Sequence, residues 1–148
     1  MNPNSGEYIR PPKYFTSPGM KKGDILFNFD NARKHSLVVI TEGAFDAMSV
    51  GRPAVACFGK GISDNQIRLI KSYWDAAIIL LDPDVKDTES RRILNSLKRA
   101  IPTVDVKLEG YKDPGDAPRE EIWKQISAAI AKSNMNISPD VVFATFKN

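Results

Sequence analysis

From residue 37 onward, short apolar runs alternate with stretches whose apolar residues recur at helical spacing. Leu37-Val38-Val39-Ile40 is β-branched and too short for a helix, so it predicts a buried strand. Ala44 to Val50 suits a short helix ended by Gly51 and Pro53. Ala54 to Phe58 is a second apolar run, followed by Gly59-Lys60-Gly61. Ser63 with Gln66 three residues later resembles a capping box, and the helix it opens places Ile67, Ile70 and Trp74 on one side. Ala76 to Leu81 is the third and most strand-like run. A polar loop then leads to a helix with Ile93, Leu94, Leu97 and Ile101 inward and Arg91, Arg92, Lys98 and Arg99 outward. Val104, Val106 and Leu108 alternate with Asp105 and Lys107, as in a strand covered on one side. After the turn-rich stretch 110–117, Ile122, Ile126 and Ile130 mark a last helix from about Pro118 to Ala131. Pro118 and the acids Glu120 and Glu121 fit its N-terminus.

Strands that are apolar throughout and alternate with helices predict a parallel sheet covered on both faces. The expected fold is therefore α/β, a Rossmann-like sandwich of about four mostly parallel central strands flanked by helices. The first 23 residues, rich in Pro, Gly, Ser and Lys, read as an irregular arm. The expected division is an N-terminal arm over 1–36, the main domain over 37–131, and a tail over 132–148. Val141 to Phe146 in that tail is a candidate edge strand.

Composition narrows the chemistry. The 148 residues suffice for one domain, and 42% apolar with 26% charged residues is ordinary globular usage, which argues against wholesale disorder. No apolar run approaches the roughly 20 residues that span a bilayer, and 1–10 lacks the apolar core of a secretory signal. A soluble, cytoplasmic protein with no membrane partner is expected. The net charge of +3 is compatible with a polyanionic partner without requiring one. A single cysteine, Cys57, excludes an internal disulfide and any zinc site built on several cysteines. His35, the only histidine, excludes a His-rich metal site and is expected to be exposed in a polar turn; Cys57 is expected in the core. Any metal must then be held by carboxylates, which selects a hard ion such as magnesium or manganese.

Acids fall where that requirement could be met. Chemistry in an open parallel sheet gathers at the carboxyl ends of the strands. The first strand leaves through Thr41-Glu42-Gly43, the third through Asp82-Pro83-Asp84, and the fourth is followed by Lys112-Asp113-Pro114-Gly115-Asp116. Up to five carboxylates on one sheet edge repel one another unless a cation neutralises them. Asp82 and Asp84, two residues apart, share a side in extended chain. Taken singly, each group also reads as helix-end or turn chemistry.

These residues resemble a family. Leu37 through Met48, with Thr41-Glu42-Gly43 at its centre, looks like the glutamate motif of the TOPRIM domain, and Ile79 through Asp84 looks like its Asp-x-Asp motif. Tyr14-Phe15-Thr16-Ser17-Pro18-Gly19, continuing through Lys21-Lys22 to Asn28, is similar to the primase segment just before the TOPRIM sheet. Lys112 through Asp116 is similar to the later primase acidic motif. Together they point to DnaG-type DNA primases, closest to phage primase catalytic domains. The resemblance implies Glu42 as a general acid/base or metal-organising residue, Asp82 and Asp84 as the divalent-metal pair, and Asp113 and Asp116 as additional ligands. It implies magnesium or manganese as cofactor and condensation of nucleoside triphosphates on a single-stranded DNA template. A separate zinc-binding primase subunit and a replicative helicase are the implied partners.

Three features depart from the family pattern. Asp87 stands where a glycine is usual, the chain cannot build the zinc module from one cysteine, and most of the basic template-holding subdomain is missing. The chain resembles the catalytic half of a primase or a reduced phage version. Lys21, Lys22, Lys60, Arg91 and Arg92 are the candidate phosphate contacts. Gly59-Lys60-Gly61 lacks Walker A spacing. A TOPRIM nuclease that cleaves nucleic acid, or a non-catalytic nucleic-acid-binding subunit of a replication complex, remains an alternative.

Overall fold

A computed structural model of the chain describes residues 25–58, 61–83 and 87–133. The arm motif over 14–24 and the edge strand over 141–146 lie outside those residues. Among the described residues, five helices and four strands follow one another: α1 (Phe29–Ala32), β1 (Leu37–Thr41), α2 (Ala44–Val50), β2 (Ala54–Ala56), α3 (Asp64–Tyr73), β3 (Ala76–Ile79), α4 (Asp87–Lys98), β4 (Thr103–Asp105) and α5 (Arg119–Lys132), with a 3-10 turn over Pro114–Asp116. All three strand pairings are parallel and the order across the sheet is β2-β1-β3-β4.

The two-residue strand period divides the core into two layers. Leu37, Val39, Ile78 and Leu80 point to one face, where α2 and α5 supply Ala47, Val50, Ile122 and Ile126. Val38, Ile40, Ala77 and Ile79 point to the other, covered by Ile67, Ile70 and Trp74 near α3 and by Ile93 and Leu97 of α4. Burial on both faces is why β1 and β3 read as unbroken apolar runs. Cys57 belongs to the second layer, as expected. His35 is half-buried rather than exposed, and its pKa is lowered by burial and by the Arg52 charge.

The predicted fourth strand is shorter than its alternation suggested. Only Thr103–Asp105 pairs along β3, although Val106 still donates to the Ile79 carbonyl and Val106 and Leu108 stay buried. The capping box forms as expected: Ser63 Oγ accepts from Gln66 N at 3.0 Å and Gln66 Oε1 from Ser63 N at 2.9 Å.

The connection from β1 turns outward to β2, whereas the next strand, β3, lies on the other side of β1. Strand order therefore reverses between β1 and β3. In open α/β sheets the crevice beyond the carboxyl ends at such a reversal is where ligands bind.

Candidate functional site

Glu42 and Asp82 emerge at that reversal. β1 ends in Thr41, fully buried, whose hydroxyl donates to the Val55 carbonyl at 2.9 Å. The Thr41 and Glu42 carbonyls accept from Cys57 and Phe58 N–H at 3.1 and 3.2 Å, so the exit of β1 is tied to the end of β2. On the other side, Leu80 N–H donates to the Ile40 carbonyl at 2.8 Å, which carries β3 alongside β1 up to the half-buried Asp82. Two stiff, buried strands thus fix where both carboxylates begin.

A third acid joins them from α2. Asp46 is 9% exposed; its Oδ2 accepts from Gly43 N at 3.3 Å and its Oδ1 from Gly115 N at 2.9 Å. The second bond spans 69 residues and draws the 3-10 turn onto the sheet edge. Asp113 opens that turn, its Oδ1 accepting from Asp116 N at 3.0 Å. A side chain at Gly115 would crowd this approach. A Cβ there would stand 3.1 Å from Asp46 Oδ1 and 3.3 Å from Asp113 Oδ1.

Electrostatics show that the four acids share one locality. Asp82 is pushed up to about 7, first by burial, then by the charges of Asp46 and Glu42, a hydrogen bond to Glu42, and the charge of Asp113. Asp46 is also raised, chiefly by burial, while its bonds from Gly115 and Gly43 oppose the shift. With Asp82 at about 7, the group is only partly deprotonated near neutral pH, and the protonated carboxyl is favoured by its hydrogen bond to Glu42.

The donor set is entirely carboxylate oxygen, which suits a hard divalent cation. Asp82 Oδ1 is buried and has no hydrogen-bond partner among the described residues. No three acidic, histidine or cysteine groups among the described residues close on a common metal-holding position; Asp84 lies outside the described residues. Among the described residues, Glu42, Asp46, Asp82 and Asp113 therefore offer neighbouring carboxylate oxygens that are not closed on a single ion position.

Other sequence-based candidates fall elsewhere. Asp116 is exposed and serves Asp113 through its backbone N–H. Asp87 starts α4; Asp105 is raised chiefly by burial, with the Lys107 charge opposing the shift and the Asp87 charge adding to it. Arg92 is committed to structure: it donates to Glu89 at 2.9 and 3.1 Å and to the Ile62 carbonyl at 2.7 Å. Arg91 is exposed. Lys21, Lys22 and Lys60 lie outside the described residues. Asp46 and Gly115 were not singled out by sequence reasoning. The available signal was an acid three residues after Gly43, the spacing at which an N3 side chain reaches back to the N-cap backbone.

Comparison with known proteins agrees with this geometry. A family model described as Toprim-like matches residues 39–117. The Aquifex aeolicus primase structure holding zinc-binding and RNA polymerase domains is similar at 26% identity and a TM-score of 0.63, over 82% of this chain and 34% of that one. A DNA primase domain from Pseudomonas aeruginosa is similar in fold at 18% identity and a TM-score of 0.57, over 82% of this chain and 43% of that one. A DnaG primase catalytic domain bound to ssDNA shares the fold at 18% identity and a TM-score of 0.61, over 76% of this chain and 40% of that one. The chain thus spans between a third and a half of the solved primase chains it resembles. No curated protein matches the sequence. With its acids at the β1/β3 reversal and the matched segment running from β1 to the 3-10 turn, the chain belongs to the Toprim-like family and carries the TOPRIM fold of DnaG-type primase catalytic domains.

Proposed function

We propose that the chain is the catalytic TOPRIM domain of a phage-type DNA primase, joining nucleoside triphosphates into an RNA primer on a single-stranded DNA template. The observation that carries this reading is the convergence of Glu42, Asp46, Asp82 and Asp113 at the strand-order reversal of a Toprim-like sheet. These four, with Asp84, would hold magnesium or manganese, and Asp116 stands next to them as a further candidate. Such an ion, when bound, neutralises triphosphate charge and activates a 3′-hydroxyl.

The chain's own residues prepare the site. Burial first, and then the charges of Asp46 and Glu42, keep Asp82 partly protonated near neutral pH, and a cation would release that proton. Asp46, braced by two backbone N–H groups, sets the floor. Glu42, on the rigid exit of β1, is positioned to accept a proton from an attacking hydroxyl. Lys21, Lys22, Lys60, Arg91 and Arg92 are the proposed phosphate contacts, Arg92 also donating to Glu89 and the Ile62 carbonyl. A zinc-binding primase subunit and a replicative helicase are the proposed partners, in the cytoplasm of the bacterial or infected cell. No helix among the described residues is long and apolar enough to cross a membrane.

The full chain, incubated with single-stranded template, labelled nucleotides and magnesium or manganese, with and without a zinc-module protein, tests this. Labelled oligomers are expected, and Glu42→Gln should abolish them with the circular dichroism spectrum unchanged. Template degradation would instead identify a nuclease, and binding without either product a non-catalytic subunit.

A further inference from the structure

Backbone strain among the described residues gathers along the outer edge of β2. Asn28 and Phe58 are the non-glycine residues there with positive φ, at 67° and 66°. Residues other than glycine seldom enter the left-handed region, and a bulky side chain in it is an outlier. Asn28 belongs to the segment before α1, and its Nδ2 donates to the Arg52 and Ala54 carbonyls, each at 3.0 Å. Next to it, Phe27 pairs antiparallel with Ala56, its N–H donating to the Ala56 carbonyl at 3.0 Å. Phe58 follows two residues after β2. It is buried, and its ring meets that of Phe27 edge-on, with centroids 6.3 Å apart.

The backbone of Phe58 shows what the strain accomplishes. In a regular strand every second N–H faces a given neighbour. Along β2 the Ala56 N–H faces outward to the Phe27 carbonyl, and the Cys57 N–H faces β1, donating to the Thr41 carbonyl at 3.1 Å. The Phe58 N–H would face outward next, yet it donates to the Glu42 carbonyl at 3.2 Å. The chain therefore turns over at Phe58 and gives Glu42 a backbone bond that a continuing ladder would not supply. Glycine would enter this conformation freely and leave it as freely. Phe58 is kept in it by a ring set against Phe27, which is itself bonded to β2. Strain of this kind persists only where the surroundings over-determine it, and it clusters at functional sites. We infer that Phe58 is a positioning residue for Glu42: its docked ring locks the left-handed turn, and the turned N–H fixes the backbone that carries the Glu42 carboxylate. The inference rests on the metal-holding role proposed for Glu42 and adds to it a residue outside the acids.

Manganese affinity of the full-length chain, measured by titration calorimetry where circular dichroism shows each variant folded, tests this without depending on turnover. Loss of a partner outside the ligand shell costs about 10- to 100-fold in metal affinity. Phe58→Gly should therefore weaken binding roughly tenfold or more. Phe27→Ala, which removes the surface on which the ring docks, should weaken it in the same direction and decides the matter if Phe58→Gly does not fold. Phe58→Tyr, which keeps the ring, should bind as the parent does. In a Glu42→Gln chain neither Phe58→Gly nor Phe27→Ala should have any further effect, because the group they position is gone; that non-additivity marks action through Glu42. Leu97→Ala, at a buried site in the last turn of α4, controls for destabilisation and should leave affinity unchanged. Parental affinity in both Phe58→Gly and Phe27→Ala, equal losses with and without Glu42, or a matching loss in Leu97→Ala would overturn the positioning role and leave the acid site standing. If the parent binds no manganese, or Glu42→Gln binds it as tightly as the parent, the role of Glu42 itself fails, and that of Phe58 with it.

Discussion

Gly115 sits between two carboxylates, donating its N–H to one of them and leaving little room for a side chain beside either. A methyl group there would meet Asp46 Oδ1 at 3.1 Å and Asp113 Oδ1 at 3.3 Å, and Asp46 is already held by two N–H groups. Gly115→Ala should therefore displace a carboxylate by a few tenths of an ångström. Because misplacement of about 1 Å at a reacting centre can cost 10²-fold, roughly a tenfold loss of primer synthesis is expected. The urea midpoint should hardly move, since Gly115 is itself exposed. Parallel activity and urea measurements check this, and a variant with full activity would show that the approach of the 3-10 turn is incidental. At this scale the sequence was only partly legible. Glu42, Asp82 and Asp113 announce themselves by following strands. Asp46 is hidden because an acid in the first turn of a helix is ordinary dipole chemistry, and its partner Gly115 is 69 residues away.

Elements depend on a few polar side chains that replace missing backbone partners. Gln66, 1% exposed, closes the α3 capping box through Oε1, while Nε2 donates to the Ile25 and Cys57 carbonyls at 2.9 and 3.0 Å. One side chain thus joins the start of α3, the end of β2 and the strand-like segment before α1. Gln66→Leu keeps the volume and strands three backbone groups, so about 2 kcal/mol of destabilisation is expected. Urea unfolding measures it, and a loss under about 0.5 kcal/mol would mean that solvent replaces those bonds. The capping box itself was visible in Ser63 and Gln66, because both partners are local. The carbonyl contacts were not, because nothing local fixes which strand end reaches α3. The same distinction explains β4: alternation at Val104, Val106 and Leu108 correctly marked the buried side, but pairing length depends on how far β3 runs beside it.

Across the molecule, the site opposes stability. Asp82 titrates at about 7 in the folded chain against an ordinary 3.8. Between those values the folded state keeps a proton that the unfolded state has lost. Stability therefore falls as pH rises through that window, and the penalty is complete above about 7. Asp46 is raised as well and acts in the same sense. His35, lowered by burial, acts oppositely. The difference in urea midpoint between the parent and Asp82→Asn isolates the Asp82 contribution. The variant should be the more stable of the two at pH 8, with the gap closing towards pH 4. A gap that stays flat, or opens towards acid, would contradict the assigned repulsion. The fold that creates this tension was the most legible feature of the chain, since the apolar runs dictated both the strands and their burial. Strand order was less so: periodicity places strands in a sheet without saying that β2 and β3 lie on opposite sides of β1.

Titration calorimetry of manganese into the full-length chain at pH 7.5, in buffers of different ionisation heat, tests the acid site most directly. At pH 7.5 a group titrating at about 7 carries roughly a quarter of a proton, so the parent should bind the ion and release about that fraction as Asp82 gives it up. Asp82→Asn should bind at least roughly tenfold more weakly, since loss of even an outer-shell partner costs about 10- to 100-fold, and should release no proton. Equal affinity and equal proton release in the two proteins would contradict a metal centre built on Glu42, Asp46, Asp82 and Asp113.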